Sequence, residues 1–109
     1  MGLGIAPGEP HTVVEAGGVC VVALQGEIDL ATAGGIVDVV RAVLAKSGCR
    51  RIRVDLAGVS FLDCAGVRAL LDAHNEAERR GVALDIRHAH DGPRKVLQLT
   101  GVYGYLRER

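Results

Sequence analysis

At 109 residues the chain has room for one hydrophobic core, not two. Hydrophobic residues make up 49% of it, but aromatics only 3% and Trp is absent, so that core must be aliphatic. A net charge of +0 argues against an electrostatic nucleic-acid binder. Three cysteines without CxxC spacing (Cys20, Cys49 and Cys64) match neither a secreted disulfide framework nor a zinc site.

The longest apolar run, residues 19–24, falls far short of the roughly 18 residues a membrane helix needs. Residues 1–10 lack the basic-then-apolar layout of a signal peptide. A reducing, cytoplasmic setting is expected, with no membrane association, no direct nucleic-acid contact, no metal and no cofactor.

Residues 1–10 carry three Gly and two Pro and read as a flexible N-terminal arm; residues 11–109 read as a single domain. Residues 11–15 are weakly strand-like. Ala16-Gly17-Gly18 suits a tight hairpin turn. The run Val19-Cys20-Val21-Val22-Ala23-Leu24 predicts a central strand covered on both faces. Residues 26–32 then connect to a helix whose Ile36, Val39, Val40, Val43 and Leu44 recur at i, i+3, i+4, i+7 and i+8. Asp29 or Thr32 is placed to cap that helix, and Lys46 with Ser47-Gly48 closes it. Its weak point is Gly34-Gly35, at about 1 kcal/mol each relative to Ala in a helix interior.

Residues 51–56 alternate strictly, predicting a strand with one apolar face, and residues 58–62 read as the connection out of it. Asp63 is placed as the N-cap of a second helix with Val67, Leu70, Leu71 and His74 on its apolar face. Cys64 then stands in the first turn, where the helix dipole favours negative charge. Arg79, Arg80 and Gly81 end the helix. Val82, Leu84, Ile86 and His88 alternate with Ala83, Asp85 and Arg87, predicting another strand. Pro93 suits the first position of a third helix over 94–99, which Thr100-Gly101 stops. Residues 102–106 read as a short final strand. Strands alternating with helices argue for an α/β fold. The sheet should be mixed and mostly parallel, with four to five strands and helices mainly on one face.

Three stretches, in this order and spacing, resemble the STAS domain of bacterial anti-sigma factor antagonists. Gly26-Glu27-Ile28-Asp29-Leu30-Ala31-Thr32 is similar to that family's Gly-Glu-Leu-Asp segment. Val54-Asp55-Leu56 through Phe61-Leu62-Asp63-Cys64-Ala65-Gly66-Val67 is similar to its strand leading into Phe-x-Asp-Ser-Ser-Gly-Leu. Leu97-Gln98-Leu99-Thr100-Gly101-Val102 is similar to its late Leu-x-x-x-Gly-Leu segment. The resemblance covers residues 13–106. It implies a STAS-like fold over 11–109 and a role as an anti-sigma factor antagonist. Such a protein binds an anti-sigma factor that is also a serine kinase of the histidine-kinase-like ATPase type, and so releases sigma factor. It implies binding rather than catalysis, by a monomer or weak homodimer. The expected partner surface is Glu27, Asp29, Thr32, Asp63, Cys64, Ala65, Gly66, Val67 and Arg68, with Gly66 permitting close approach.

In that family the kinase phosphorylates the serine after the motif's aspartate, and the added charge breaks the complex. Here the phosphoacceptor-equivalent position holds Cys64 and the next holds Ala65, so neither offers a serine hydroxyl. Ser60, four residues upstream of Cys64, reads as a loop serine rather than a phosphosite.

Cys64 admits three readings from the residues alone. It is an inert filler of a serine-sized site, a redox-sensing thiol at a helix start, or a nucleophile as in a cysteine phosphatase. The last needs an arginine closing a phosphate loop, and Arg68 is too near. A small-ligand or nucleotide-binding STAS module is a further alternative, without a Walker-type loop to support it. Cys20 and Cys49 read as core and loop thiols. His74 reads as a satisfied core-edge histidine. His88 and His90 lack a third metal ligand, and Tyr103 and Tyr105 read as core-edge or surface residues.

Overall fold

The computed structural model describes residues 11–46 and 48–107. The expected arm over 1–10 and the Ser47 part of the first helix stop lie outside the described residues. The chain begins with an antiparallel hairpin, β1 (His11–Ala16) and β2 (Val19–Ile28), in which Ala16 pairs with Val19. Its two-residue loop holds Gly17 at φ 61° and Gly18 at φ 83°, the positive values a tight primed turn demands. Parallel pairings then join β2 to β3 (Arg51–Leu62) and β3 to β4 (Ala83–Arg87), in sheet order β1-β2-β3-β4.

Both central strands run past their expected ends. Ala23 pairs with Asp55 but Gln25 with Gly58, and Gly26 pairs with Val59 but Glu27 with Phe61, so β3 gains a residue at two places. Each extra residue is a bulge that breaks the two-residue period, which is why residues 58–62 read as a connection. β2 is also not covered on both faces as expected. Cys20, Val22 and Leu24 are buried, while Val19, Val21 and Ala23 are only half-buried, because helix cover lies on one side of the sheet.

The helices α1 (Gly34–Ala45), α2 (Cys64–Arg79) and α3 (Asp91–Leu99) carry the rest of the core. Ile36, Val39, Val40 and Val43 of α1 and Val67, Leu70, Ala73 and Ala77 of α2 join one buried cluster with Ile52, Val54, Leu56, Leu84 and Ile86 of the sheet. Gly34 and Gly35 sit in the first turn of α1, where the interior penalty does not fully apply. α2 and α3 both end in the same hydrogen-bonded device. Gly81 and Gly101 take positive φ, Val82 N–H donates to Ala77 O at 3.0 Å, and Val102 N–H donates to Leu97 O at 3.0 Å. α3 starts earlier than expected, so Pro93 is its third residue rather than its first. The missing N–H is harmless there, because the first turn has no intrahelical acceptors for its N–H groups.

The expected last strand is instead a helical turn, α4 (Tyr103–Leu106). Leu106 N–H donates to Val102 O at 3.0 Å, and Val102 and Leu106 are both buried. Residues four apart share a face in a helix and in a strand alike, so the apolar pattern does not separate the two. Just after it, Arg107 forms a single parallel bridge to Ile86.

The face of the sheet away from the helices is charged. Arg53 lies opposite Asp85, and Asp55 opposite Arg87. Asp85 accepts from Arg51 at 2.7 Å and stands 3.3 Å from Arg53 Nε. Opposite charges directly across neighbouring strands are a favourable pairing.

Candidate functional site

The long central strands bring two stretches together at one end of the sheet. Glu27 pairs with Phe61 and Ile28 with Leu62, and Asp63 N–H donates to Ile28 O at 3.3 Å. Asp63, in extended backbone at φ −109°, is the N-cap of α2 as expected. Its Oδ1 accepts from Gly66 N–H at 3.1 Å, and its carbonyl accepts from Val67 N–H at 3.0 Å.

Beyond that cap the side chains divide. Cys64 and Arg68 are exposed, Ala65 is half-buried, and Gly66 and Val67 are buried. Arg68 Nε stands 3.9 Å from Asp72 one turn on. Gly66 does permit a close approach, but within the fold. A Cβ there would overlap Leu62 Cδ1 and stand 2.9 Å from Ile28 Cγ2 and 3.1 Å from Ile28 O. Val67, 6% exposed, belongs to the core. These two residues therefore seat α2 on the sheet, and the outward surface is narrower than the sequence implied.

The second stretch is a reciprocal cap. Asp29 Oδ1 accepts from Ala31 N–H at 3.0 Å and Thr32 N–H at 3.2 Å, while Thr32 Oγ1 accepts from Asp29 N–H at 3.0 Å. Thr32 Oγ1 also stands 3.0 Å from Glu27 O, within reach to donate. Asp29 and Thr32 thus cap the helical turn ahead of α1 rather than α1 itself, whose own N-cap is Ala33 with no side-chain bond. The turn leaves Leu30 pointing outward at 83% exposure, and Phe61 is 47% exposed. Both lie within the stretches that resemble the family, but neither was among the expected surface residues. A leucine between the two members of a capping pair has no inward direction left, and the two bulges together return β3 at Leu62 to the phase of Ile52, Val54 and Leu56, which leaves Phe61 on the outer side.

The remaining candidates are accounted for locally. His74 Nδ1 donates to Leu84 O at 3.2 Å, and its ring meets Tyr105 edge-on at 5.0 Å. His88 contacts Asp55 Oδ1 at 3.2 Å. His90 reaches Ala57 O at 2.8 Å and Asp91 Oδ2 at 3.1 Å. The Ala57 carbonyl, then Asp91, holds the His90 pKa above the ordinary histidine value. The Arg94 guanidinium lies over the Tyr103 ring at 5.0 Å. Among the described residues no three His, Cys, Asp or Glu side chains stand together as metal ligands, and no helix is long and apolar enough to cross a membrane. Clefts of about 320 Å³ beside His74 and Tyr105 and about 230 Å³ beside Val37 and Asn75 both lie away from Cys64.

The family model of the STAS domain matches residues 11–107. The chain belongs to the STAS-domain family. Among solved structures, this STAS domain is similar to the anti-sigma factor antagonist SpoIIAA in its unphosphorylated form, at 21% identity and TM-score 0.74, covering 87% of this chain and 84% of that one. It is also similar to an anti-sigma factor antagonist from Mycobacterium paratuberculosis, at 29% identity and TM-score 0.72, covering 88% of this chain and 80% of that one. A third likeness is to Mglu, at 24% identity and TM-score 0.62. It covers 70% of this chain but only 19% of that far longer chain. No curated protein sequence matches the chain.

Proposed function

We propose that this STAS domain is an anti-sigma factor antagonist that works by binding. Its partner is an anti-sigma factor with serine-kinase activity, of the histidine-kinase-like ATPase type, and binding releases the sigma factor. The observation that carries this reading is the surface at the start of α2. Cys64 and Arg68 are exposed on a capped helix start, and the exposed Leu30, Phe61 and Glu27 flank it. Two apolar side chains ringed by polar ones are what a protein partner can desolvate and grip. The resemblance to two anti-sigma factor antagonists, over 80% or more of each chain, supports the same reading.

Within this reading Cys64 occupies the phosphoacceptor position. The structure of phosphorylated SpoIIAA concerns that relative alone. A serine kinase transfers a phosphoryl group to a hydroxyl oxygen, and Cys64 and Ala65 offer a thiol and a methyl group. The complex formed by this chain is then not broken by phosphorylation at that site. The protein acts in the cytoplasm as a monomer or weak homodimer, without touching nucleic acid or membrane itself.

A pull-down against the host's histidine-kinase-like anti-sigma factors tests this. Leu30→Asp and Ala65→Glu each place a charge on the surface while sparing the cap and Gly66. The reading expects a partner retained by the unmodified chain and lost by both variants. Retention of every partner by both variants contradicts the surface.

A further inference from the structure

The ladder between β3 and β4 ends where Asp55 lies opposite Arg87. The first β3 bulge follows, and side chains meet both backbone groups of Ala57 within it. The Ala57 N–H donates to Asp55 Oδ1 at 2.9 Å, and the Ala57 carbonyl faces His90 Nε2 at 2.8 Å. Asp55 Oδ1 is in turn 3.2 Å from His88 Nδ1. Both histidines of the β4–α3 loop, residues 88–90, thus hold it to the bulge, and Ala89 between them is buried in the core. The loop bends sharply. His88 at φ 62° and Asp91 at φ 50° both take left-handed backbone, a cost that surrounding contacts must offset.

His90 stands between two acceptors. Its Nε2 faces the Ala57 carbonyl, and its Nδ1 is 3.1 Å from Asp91 Oδ2. Neither a carbonyl nor an ionised carboxylate can donate, and a neutral imidazole has one N–H. The imidazolium makes both bonds; the neutral ring turns a lone pair toward one of the two oxygens. We propose that His90 is a proton-operated latch: as imidazolium it fastens the β4–α3 loop to the β3 bulge, and on losing its proton it releases that loop. The other charged or titratable groups around this loop work in both directions. Asp55 on β3 favours the proton, whereas Arg87 at the end of β4, His88 when charged, and Arg94 and Lys95 on α3 oppose it. β2 sets only uncharged Leu24 and Gln25 against the bulge. The Ala57 carbonyl, then Asp91, raises the His90 pKa. A raised pKa means that the fastening is complete below the ordinary histidine value, about 6.5. It is lost as pH rises through the raised value. Beyond Ala57 the strand runs on to Phe61 and the Asp63 cap, so the latch acts on the footing of the proposed partner surface, and it does so whatever that partner is.

The test is an NMR titration of the full chain from acid to mildly alkaline pH. It follows the histidine ring nitrogens, the Ala57 carbonyl carbon and the exchange of the Arg94 amide. That amide donates to His90 O at 3.2 Å and so opens with the loop. The expected His90 midpoint lies above the free value of about 6.5, with both ring nitrogens protonated on its acid side. The Ala57 carbonyl shift moves with the same midpoint. Arg94 protection, corrected for intrinsic exchange, falls on the alkaline side. Asp91→Asn keeps a residue that tolerates left-handed backbone and lowers the His90 midpoint. In His90→Gln the Ala57 and Arg94 responses vanish, and in His88→Gln they remain. A His90 midpoint at or below the free value overturns the proposal, as does an Ala57 carbonyl or Arg94 amide indifferent to the His90 titration. A midpoint unmoved by Asp91→Asn, a response that survives His90→Gln, or one that disappears in His88→Gln overturns it equally.

Discussion

A methyl group at position 66 has no free volume: it would overlap Leu62 and crowd both the side chain and the carbonyl of Ile28. That carbonyl already accepts the Asp63 N–H, so a shift there also disturbs the helix cap. Gly66→Ala is expected to lower stability by about 1–3 kcal/mol, the usual cost of overpacking a tight contact. Urea unfolding would show it as a lower midpoint at unchanged slope, and an unchanged midpoint would mean that α2 is seated less closely than described. The sequence identifies Gly66 as special but not which contact needs it. Partner approach and helix packing both call for a missing Cβ, and only the position of β2 across the sheet separates them. Asp63 was the opposite case. An acidic residue between an apolar strand and an amphipathic helix has one local role that satisfies its neighbours, and it takes it.

At the level of elements, local chemistry was readable and long-range pairing was not. The Gly17-Gly18 turn, the apolar faces of α1 and α2 and the glycine stops at 81 and 101 all depend on neighbours in sequence. The two bulges of β3 depend on which residues of β2 lie opposite, so the extension to Leu62 could not be read. The α4 turn was misread because Val102 and Leu106 fit either period.

α2 also carries a charge cluster whose effect can be isolated. Glu76 is buried along its stem and contacts Arg79 and Arg80 on its own helix, with Arg41 of α1 at 3.9 Å. The hydrogen bond from Arg79 leads the causes that hold its carboxyl below the ordinary glutamate value. A carboxyl depressed in the folded state stabilises the fold above its unfolded pKa, about 4.3, and that stability is lost as pH falls toward the folded value. Glu76→Gln removes this contribution. The melting temperature of the unmodified protein should therefore fall more steeply than the variant's as pH drops through that range. Parallel curves would show that the cluster does not stabilise the fold.

Across the whole molecule, the sheet divides an aliphatic core from a charged open face. The aliphatic composition and the alternation of β3 made that division legible, whereas the one-sided exposure of β2 was not. A continuous apolar run reads the same whether its second face is covered or only sheltered by neighbouring strands. On the open face Asp85 is 6% exposed and engages two arginines. Asp85→Ala leaves both guanidinium groups beside an emptied site, with an expected loss of about 1–3 kcal/mol in urea unfolding. A change within a few tenths of a kcal/mol would mean that solvent replaces the carboxylate there.

The division also frees one end of the sheet to display Leu30, Phe61 and Cys64 together. The central claim is that this end binds an anti-sigma kinase and has lost the phosphate that would release it. The most direct measurement mixes the purified chain with the kinase recovered in the pull-down and with ATP. Complex formation and the intact mass of the chain are then followed in the same sample. The account predicts a complex that persists through the incubation, a chain of unchanged mass, and no complex with Ala65→Glu. A chain that gains a phosphate and dissociates, or an Ala65→Glu variant that binds as tightly as the unmodified chain, would contradict it.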